Sequence, residues 1–360
     1  MNERTPPNHL QKTTPPKQNC WVYVNLLRYL QGRMSFKNKY AVLKSYVDEE
    51  LNKLKHIHSD NPKLYEPLSY MIELGGKRLR PVLTLASCEA FGGRAEHAIH
   101  PAMGVEVFHN FSLIHDDIMD NAPIRRGQPT VHEKWGVNMG ILSGDLLLIK
   151  SYELISIVHP AVLAKVFKIF NQTAILVCEG QQKDMDFENR ETVGEEEYLN
   201  MILLKTGVLL GAALQIGALA GGASELDAKS MYEFGCEIGV AFQIKDDWLD
   251  SFGEEEKVGK RIGGDIVEGK KTMLMIKAKE LADEVQSQKI YKLYSNGATE
   301  QQRIHGVLEV YNELNIKDLC KAEIYKHYQV ALLKLESVSM TPEYKEFFRE
   351  FAEYLIDRDF

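Results

Sequence analysis

The chain has 360 residues and a formal net charge of −8, with 44% apolar and 26% charged residues, the balance of an ordinary globular protein. That excludes a collagen-like chain, a mostly disordered one and a disulfide-stapled miniprotein. The acid excess argues against a nucleic-acid binder, whose phosphate contacts need a basic face. The five cysteines (Cys20, Cys88, Cys178, Cys236, Cys320) form no CxxC pair, so zinc ribbons and dithiol motifs lack support and a reducing cytoplasm is the expected compartment.

Residues 1–33 hold Pro6, Pro7, Pro15 and Pro16, and no acidic residue occurs between Glu3 and Asp48. This stretch is expected to be a disordered extension, because its apolar run is too short to span a membrane and no small-residue cleavage site follows. A single helical domain over 34–360 is expected after it. It opens on an amphipathic helix through Tyr40, Leu43, Val47, Leu51 and Leu54. Three- and four-residue apolar spacing then predicts helices over 64–74, 79–91, 98–120, 141–158, 161–187, 195–221, 225–251 and 271–285, and in the tail over 299–314, 316–337 and 342–356. Period-2 alternation is nearly absent, so the fold class is all-α, with helices long enough for a bundle that holds a ligand in its centre. Thr206 to Ser224 runs 19 residues without a charge, close to a bilayer-spanning length. Its five glycines and Gln215 fit a buried core helix better, so no membrane span is expected.

The sharpest feature is a pair of similar boxes, Asp116-Asp117-Ile118-Met119-Asp120 and Asp246-Asp247-Trp248-Leu249-Asp250. The first and last aspartates of each are i and i+4, so on a helix their carboxylates share a face and repel. Both boxes end apolar runs, where carboxylates are costly unless a cation sits with them. Oxygen-only ligands without a full protein cage point to Mg²⁺, which usually completes its shell with water and substrate phosphate. Cationic groups that such a phosphate needs lie at helix boundaries: Lys77 and Arg80 in Gly75-Gly76-Lys77-Arg78-Leu79-Arg80-Pro81, Arg125-Arg126-Gly127 just after the first box, Lys205-Thr206-Gly207, and Lys260, Lys270 and Lys271 in a glycine-rich stretch after the second. No P-loop is present.

GGKRLRP at 75–81, DDIMD followed by RRG, KTG at 205–207, FQIKDDWLD at 242–250 and the glycine-lysine stretch after it together resemble the trans-type isoprenyl diphosphate synthases, the polyprenyl synthetase family. The resemblance covers about residues 40–356. It implies an all-helical fold with a central cavity and the two boxes facing each other across its mouth. Asp116 and Asp120 are implied to bind two Mg²⁺ ions and Asp246 a third, with Asp117, Asp247 and Asp250 in support. Arg125, Lys205, Lys260 and Lys270 are implied to grip the diphosphate of an allylic substrate (dimethylallyl, geranyl or farnesyl). Lys77, Arg80, His109 and Arg126 match the family's isopentenyl diphosphate positions. The carbonyl of Thr206 and the side chain of Gln243 are implied to stabilise the allylic cation. A homodimer is expected.

Lys245 departs from many relatives, which carry glutamine there; it adds a cation near the diphosphate or snorkels outwards. Competing readings are a terpene cyclase of the same fold and a noncatalytic subunit of a partner synthase. The all-aspartate second box and intact GGKRLRP weigh against the first, and the completeness of both boxes weighs against the second. Product length is read from side chains one to two turns before Asp116. Phe111 and Phe108 are three apart on one face there and are expected to floor the pocket, while Ser112 is small. An aromatic at the fifth position before the box alone resembles the archaeal geranylgeranyl type, so C20 is expected, with C15 close behind.

Overall fold

The structure, a computed structural model, describes residues 35–55, 61–253, 262–295 and 297–357. Residues 1–33 and Lys260 therefore lie outside the described residues. The chain order is α1 (Phe36–Leu54), α2 (Pro62–Glu73), α3 (Leu79–Ala90), α4 (Ala95–Met119), a short β1–β2 hairpin (Ile124–Arg125 and Gln128–Pro129), α5 (Val131–Trp135), α6 (Val137–Ile155), α7 (Pro160–Glu188), α8 (Glu195–Ile202), a π-helical turn (Leu203–Gly207), α9 (Val208–Gly221) and α10 (Glu225–Phe252). There follow α11 (Gly264–Glu268), α12 (Met273–Leu281), α13 (Glu284–Ser295), α14 (Glu300–Glu313), α15 (Ile316–Glu336) and α16 (Pro342–Ile356). The all-helical expectation is met apart from the two-residue strands of the hairpin.

The ends of these helices follow from local chemistry. Ser224 Oγ accepts from Asp227 N at the start of α10, and Thr299 with Gln302 forms a capping box on α14, each satisfying amides that the first turn leaves unpaired. Pro160 and Pro342 occupy the first position of α7 and α16, where a missing N–H costs nothing. Two expected helices are interrupted. The 195–221 helix carries the π-helical turn, and the 271–285 helix stops at Leu281, with α13 starting afresh at Glu284.

Helix α9 occupies the centre, packed by α3, α4, α7 and α10. It gets there because its glycines let backbones touch: a Cβ on Gly217 would lie 2.1 Å from the Thr84 carbonyl oxygen. Pro160–Glu188 and Glu195–Gly221 are both long and apolar enough to cross a bilayer, but 72% of the apolar window of the second is buried inside the fold. It is the core helix expected from its glycines. Two hydrophobic clusters result, one around α1, α3, α4, α9 and α16, the other around α8, α12, α14 and the end of α10. Leu203, in the π-helical turn, packs against both. The turn thus sits at their junction, and the functional residues gather around it.

Candidate active site

The basic cluster comes from the α2–α3 loop and the β1–β2 turn. Arg78 adopts the left-handed region (φ 52°) and turns inward, with Nη1 2.8 Å from Glu106 Oε1, Nε 3.0 Å from Asp48 Oδ1 and Nη2 donating to the Ile72 carbonyl at 2.9 Å. It therefore pins the loop to α1 and α4, whereas its neighbours serve the site. Lys77 is held through its carbonyl, which accepts from the Tyr40 hydroxyl, and its side chain is exposed. Arg80 lies in the first turn of α3 with a buried Nε that has no hydrogen-bond partner. Arg126 Nη1 donates to the Gly75 carbonyl. Neither Arg80 nor Arg126 has a carboxylate within ion-pair distance among the described residues.

Electrostatics agree with that geometry. Burial pushes Arg80 below the usual guanidinium range, and Arg126 adds to the push while Glu106 opposes it. Arg126 is lowered in the same way, by burial and then by Arg78 and Arg125 against Glu106. His109, one face of α4 away, is held well below the usual histidine value, first by burial and then by Arg80, Arg126, Arg125 and Arg78. A neutral imidazole surrounded by cations in excess of their counter-charges is a receptor for a polyanion.

The first aspartate box ends α4. Arg125 Nε meets Asp117 Oδ1 and Oδ2 at 2.9 and 2.8 Å, and its Nη2 meets Oδ1 at 2.7 Å. Asp117 is thus committed to orienting Arg125, whose Nη2 stands 3.8 Å from Asp116 Oδ2. Asp116 Oδ1 lies 3.2 Å from Lys205 Nζ, yet this buried oxygen receives no properly directed hydrogen bond. Asp120 caps the helix with its outer edge exposed. Desolvation by the protein around it, and then Asp116, push its carboxyl up to about 6 against the pull of Lys205 and Lys270. Lys205 Nζ also pairs with Asp184 Oδ2 at 2.6 Å; burial disfavours its charge, but Asp116 and Asp184 outweigh burial and raise it.

These residues meet because of the π-helical turn, a departure from regular helix that often marks functional positions. It presents Lys205 to the first box and Thr206 to the second. Thr206 Oγ1 donates to Gln243 Oε1 at 3.1 Å, Gln243 Nε2 donates to Asp247 Oδ1 at 3.0 Å, and the Tyr198 hydroxyl donates to Asp247 Oδ2 at 2.5 Å. Asp247 is raised well above the carboxylate range by burial and then by Asp265. Asp246 and Asp250 are only partly buried, whereas Asp247, Trp248 and Leu249 between them are buried, as the i, i+4 spacing requires. Asp250 Oδ2 accepts from Asp265 N at 3.0 Å, and its carbonyl accepts from Gly263 N at 2.6 Å. Lys270 Nζ stands 3.6 Å from Asp265 Oδ1 and 3.1 Å from Glu268 Oε2. Burial works against its charge, but Asp265, Glu268 and also Asp120 raise it above the usual lysine range. Contacts through Lys205-Thr206 and Gln243 therefore link the two boxes, and Lys270, paired with Asp265, adds its electrostatic pull on Asp120.

The donor set fits a hard divalent cation. All candidate ligands are carboxylate oxygens, one of them is buried without a hydrogen bond, and Asp120 resists ionisation among like charges. No three carboxylates stand at ligating distance among the described residues; the ammonium of Lys205 fills the gap between Asp116 and Asp184.

Phe108 is buried, and its ring lies 5.4 Å from that of Phe111, confirming the contact expected from their spacing. Phe108 also meets Phe170 of α7 at 5.3 Å, and Phe111 meets His115 at 4.8 Å. Ser112 Oγ donates back to the His109 carbonyl at 2.9 Å. Lys245 is buried with Nζ 4.5 Å from the Trp248 ring, so it does not snorkel outwards. A surface hollow of about 590 Å³ follows α13 and includes none of these residues.

Sequence reasoning passed over Asp184, Tyr198 and Asp265, and read Arg78 only as part of a motif. Asp184 carried no distinct signal, being one of several charged residues at the end of α7. The partner of Tyr198, Asp247, is 49 residues away, and Asp265 joins the second box through its backbone N–H on Asp250.

Residues 61–311 match the polyprenyl synthetase family model. Over 308 residues the chain is 39% identical to a geranylgeranyl diphosphate synthase of Sulfolobus acidocaldarius, covering 82% of this chain and 93% of that one. A crystal structure of a geranylgeranyl pyrophosphate synthase superposes with a TM-score of 0.84 at 42% identity, covering 91% of this chain and all of the other. The geranylgeranyl pyrophosphate synthetase of Pyrococcus horikoshii superposes equally well, with a TM-score of 0.84 at 35% identity over 90% of this chain and 99% of that one. Prenyl synthases of this family work on isopentenyl and allylic diphosphates and generally use Mg²⁺. With its paired aspartate boxes joined across a π-helical turn, the chain belongs to the polyprenyl synthetase family and is a prenyltransferase.

Proposed function

We propose that this enzyme condenses isopentenyl diphosphate with an allylic diphosphate (dimethylallyl, geranyl or farnesyl) to a short all-trans product, C20 in preference to C15. The observation that carries this reading is the cluster of Arg80, Arg126 and neutral His109, two cations without carboxylate partners among the described residues, next to a carboxylate-rich mouth. One diphosphate lies against Lys77, Arg80, His109 and Arg126. The other lies against Arg125, Lys205 and Lys270; Lys260, which the resemblance adds to this set, lies outside the described residues. Asp116, Asp120 and Asp246 would hold Mg²⁺, three ions in all, with Asp117 and Asp250 in support, and the metal supplies the positive charge that draws electrons towards a departing diphosphate.

The allylic C–O bond breaks with its electron pair leaving on the diphosphate, whose charge Arg125, Lys205 and Lys270 stabilise where it develops. The Thr206 carbonyl and the Gln243 amide oxygen face the allylic cation. The double bond of isopentenyl diphosphate attacks it to form the new C–C bond, and the proton lost passes to the released diphosphate. His109, held well below the usual histidine value first by burial and then by its arginine neighbours, is not needed as that base. Phe108 and Phe111, with Ser112 beside them, floor the pocket and end chain growth.

The homodimer reading is supported by an apolar strip on α6 and α7, where Val137, Ile141, Leu142, Ile149 and Ile175 are all exposed. A cytoplasmic location is in keeping with free Cys88, Cys178, Cys236 and Cys320. The test is incubation of the purified protein with labelled isopentenyl diphosphate and each primer, with product length read by mass spectrometry and mass by sedimentation. The reading requires Mg²⁺-dependent C20 from a dimer. A product of C30 or longer, no turnover by the protein alone, or a monomer at full activity would each defeat the corresponding part.

A further inference from the structure

The Gln243 amide has one polarity in this structure, given by its partners on either side. Its nitrogen donates to Asp247 Oδ1 at 3.0 Å, so its oxygen is left on the Thr206 side, accepting from Thr206 Oγ1 at 3.1 Å. Turned around, the amide would set its oxygen against the Asp247 oxygen that here accepts its N–H, and its N–H₂ against the reacting carbon. Asp247 keeps this arrangement only if it stays where it is. It is 7% exposed, and its second oxygen is anchored by the hydroxyl of Tyr198, itself 1% exposed, at 2.5 Å. Tyr198 lies on α8, whereas Gln243 and Asp247 lie on α10. The phenol therefore ties the helix that leads into the Lys205-Thr206 turn to the helix that carries the second box.

We propose that Tyr198 is a positioning residue for the ionisation step: through Asp247 it fixes the Gln243 amide with its oxygen towards the site where the allylic cation forms. This rests on the role given to Gln243 above. A correctly turned amide stabilises the cation until the isopentenyl double bond reaches it. A misoriented one shortens the cation's life and leaves it to water, which adds to carbon and gives up a proton to the diphosphate, yielding the allylic alcohol. Tyr198 touches no reacting atom, and its effect is carried by the two side chains between.

Tyr198→Phe removes one oxygen and leaves the ring. It strands a buried oxygen of the Asp247 carboxyl group, an unmet hydrogen bond of about 1–3 kcal/mol, which corresponds to roughly a 5- to 150-fold fall in kcat if it is expressed in the transition state. The experiment measures kcat, KM for geranyl diphosphate and for isopentenyl diphosphate, and the ratio of geraniol to condensed product. The variants are Tyr198→Phe, Gln243→Leu and the double variant. The expected result is a kcat loss within that range, KM values within about twofold, a raised alcohol share, and a double variant no slower than Gln243→Leu alone, because residues acting in series are not additive. Should Tyr198→Phe fold poorly, Asp247→Asn, which offers Gln243 either end of an amide, carries the same expectation. Wild-type kcat and product ratio in Tyr198→Phe alongside a slow Gln243→Leu would overturn the proposal and leave the role of Gln243 standing. Multiplying losses in the double variant would do the same. A Gln243→Leu enzyme at wild-type speed would overturn both.

Discussion

Gly180→Ala probes the π-helical turn with one methyl group. Gly180 sits on α7, where a Cβ would lie 2.4 Å from Lys205 N, 2.7 Å from Leu204 C and 2.8 Å from Lys205 Cα. All three are backbone atoms, so no side chain can rotate out of the way. Ordinary carbon contacts need about 3.5 Å or more, and α7 and the turn must part by about 1 Å. Overpacking of this kind costs about 1–3 kcal/mol, partly offset by the ~1 kcal/mol that alanine gains over glycine in a helix. The catalytic effect is larger, because a 1 Å misplacement of a catalytic group costs on the order of 10²-fold in rate, and Lys205 and Thr206 both move. Steady-state turnover with labelled isopentenyl diphosphate and geranyl diphosphate, together with urea unfolding, should show a kcat loss near a hundredfold in a protein destabilised by under about 2 kcal/mol. Wild-type turnover at reduced stability would show that the turn's position does not set the rate, and no change in either would refute the packing argument itself.

Arg78→Met leaves Glu106 buried without its 2.8 Å partner, and breaking a buried pair costs about 3–5 kcal/mol; thermal or chemical unfolding reads this, and a loss below about 1 kcal/mol would contradict it. Phe111→Ala should lengthen the product by opening the pocket floor, and Phe108→Ala should add to it; unchanged chain length in the double variant, read by mass spectrometry, would put the floor elsewhere. In metal-free protein the Asp120 carboxyl titrates at about 6, above the ~3.9 of an unfolded chain. Between those values the folded state binds more protons than the unfolded one, so this group's contribution falls as pH rises from 4 to 6. Melting in EDTA should show that decline, and Asp120→Asn should flatten it; equal slopes for the two proteins would count against the shift.

The helices were legible because each buries an apolar stripe with the helical period, and the boxes were legible because i, i+4 aspartates at the ends of apolar runs need a cation. What the pattern hid was partnership across the chain. Arg78 looked like its neighbours Lys77 and Arg80 in GGKRLRP, yet its left-handed backbone turns it inward to Glu106 and Asp48. Asp117 reads as one of the supporting aspartates, and only the fold shows that the partner it holds is Arg125. Tyr198 has the appearance of a core aromatic at helical spacing, and only the fold shows Asp247 beneath its hydroxyl. The interruption of 195–221 was invisible for a related reason. Its residues suit a regular helix, and the π-helical turn arises where α7 meets Leu204 and Lys205 at Gly180.

The central claim is that the two aspartate boxes act together on a departing diphosphate. Single-turnover rates of carbon–carbon bond formation for Asp116→Ala and Asp246→Ala, each at saturating Mg²⁺ and substrates, test it most directly. Both should fall by at least a hundredfold, a loss of about 2.7 kcal/mol of transition-state stabilisation, while both proteins keep their folded helical content. Either variant retaining more than about a tenth of the wild-type rate, only ~1.4 kcal/mol, would contradict the claim.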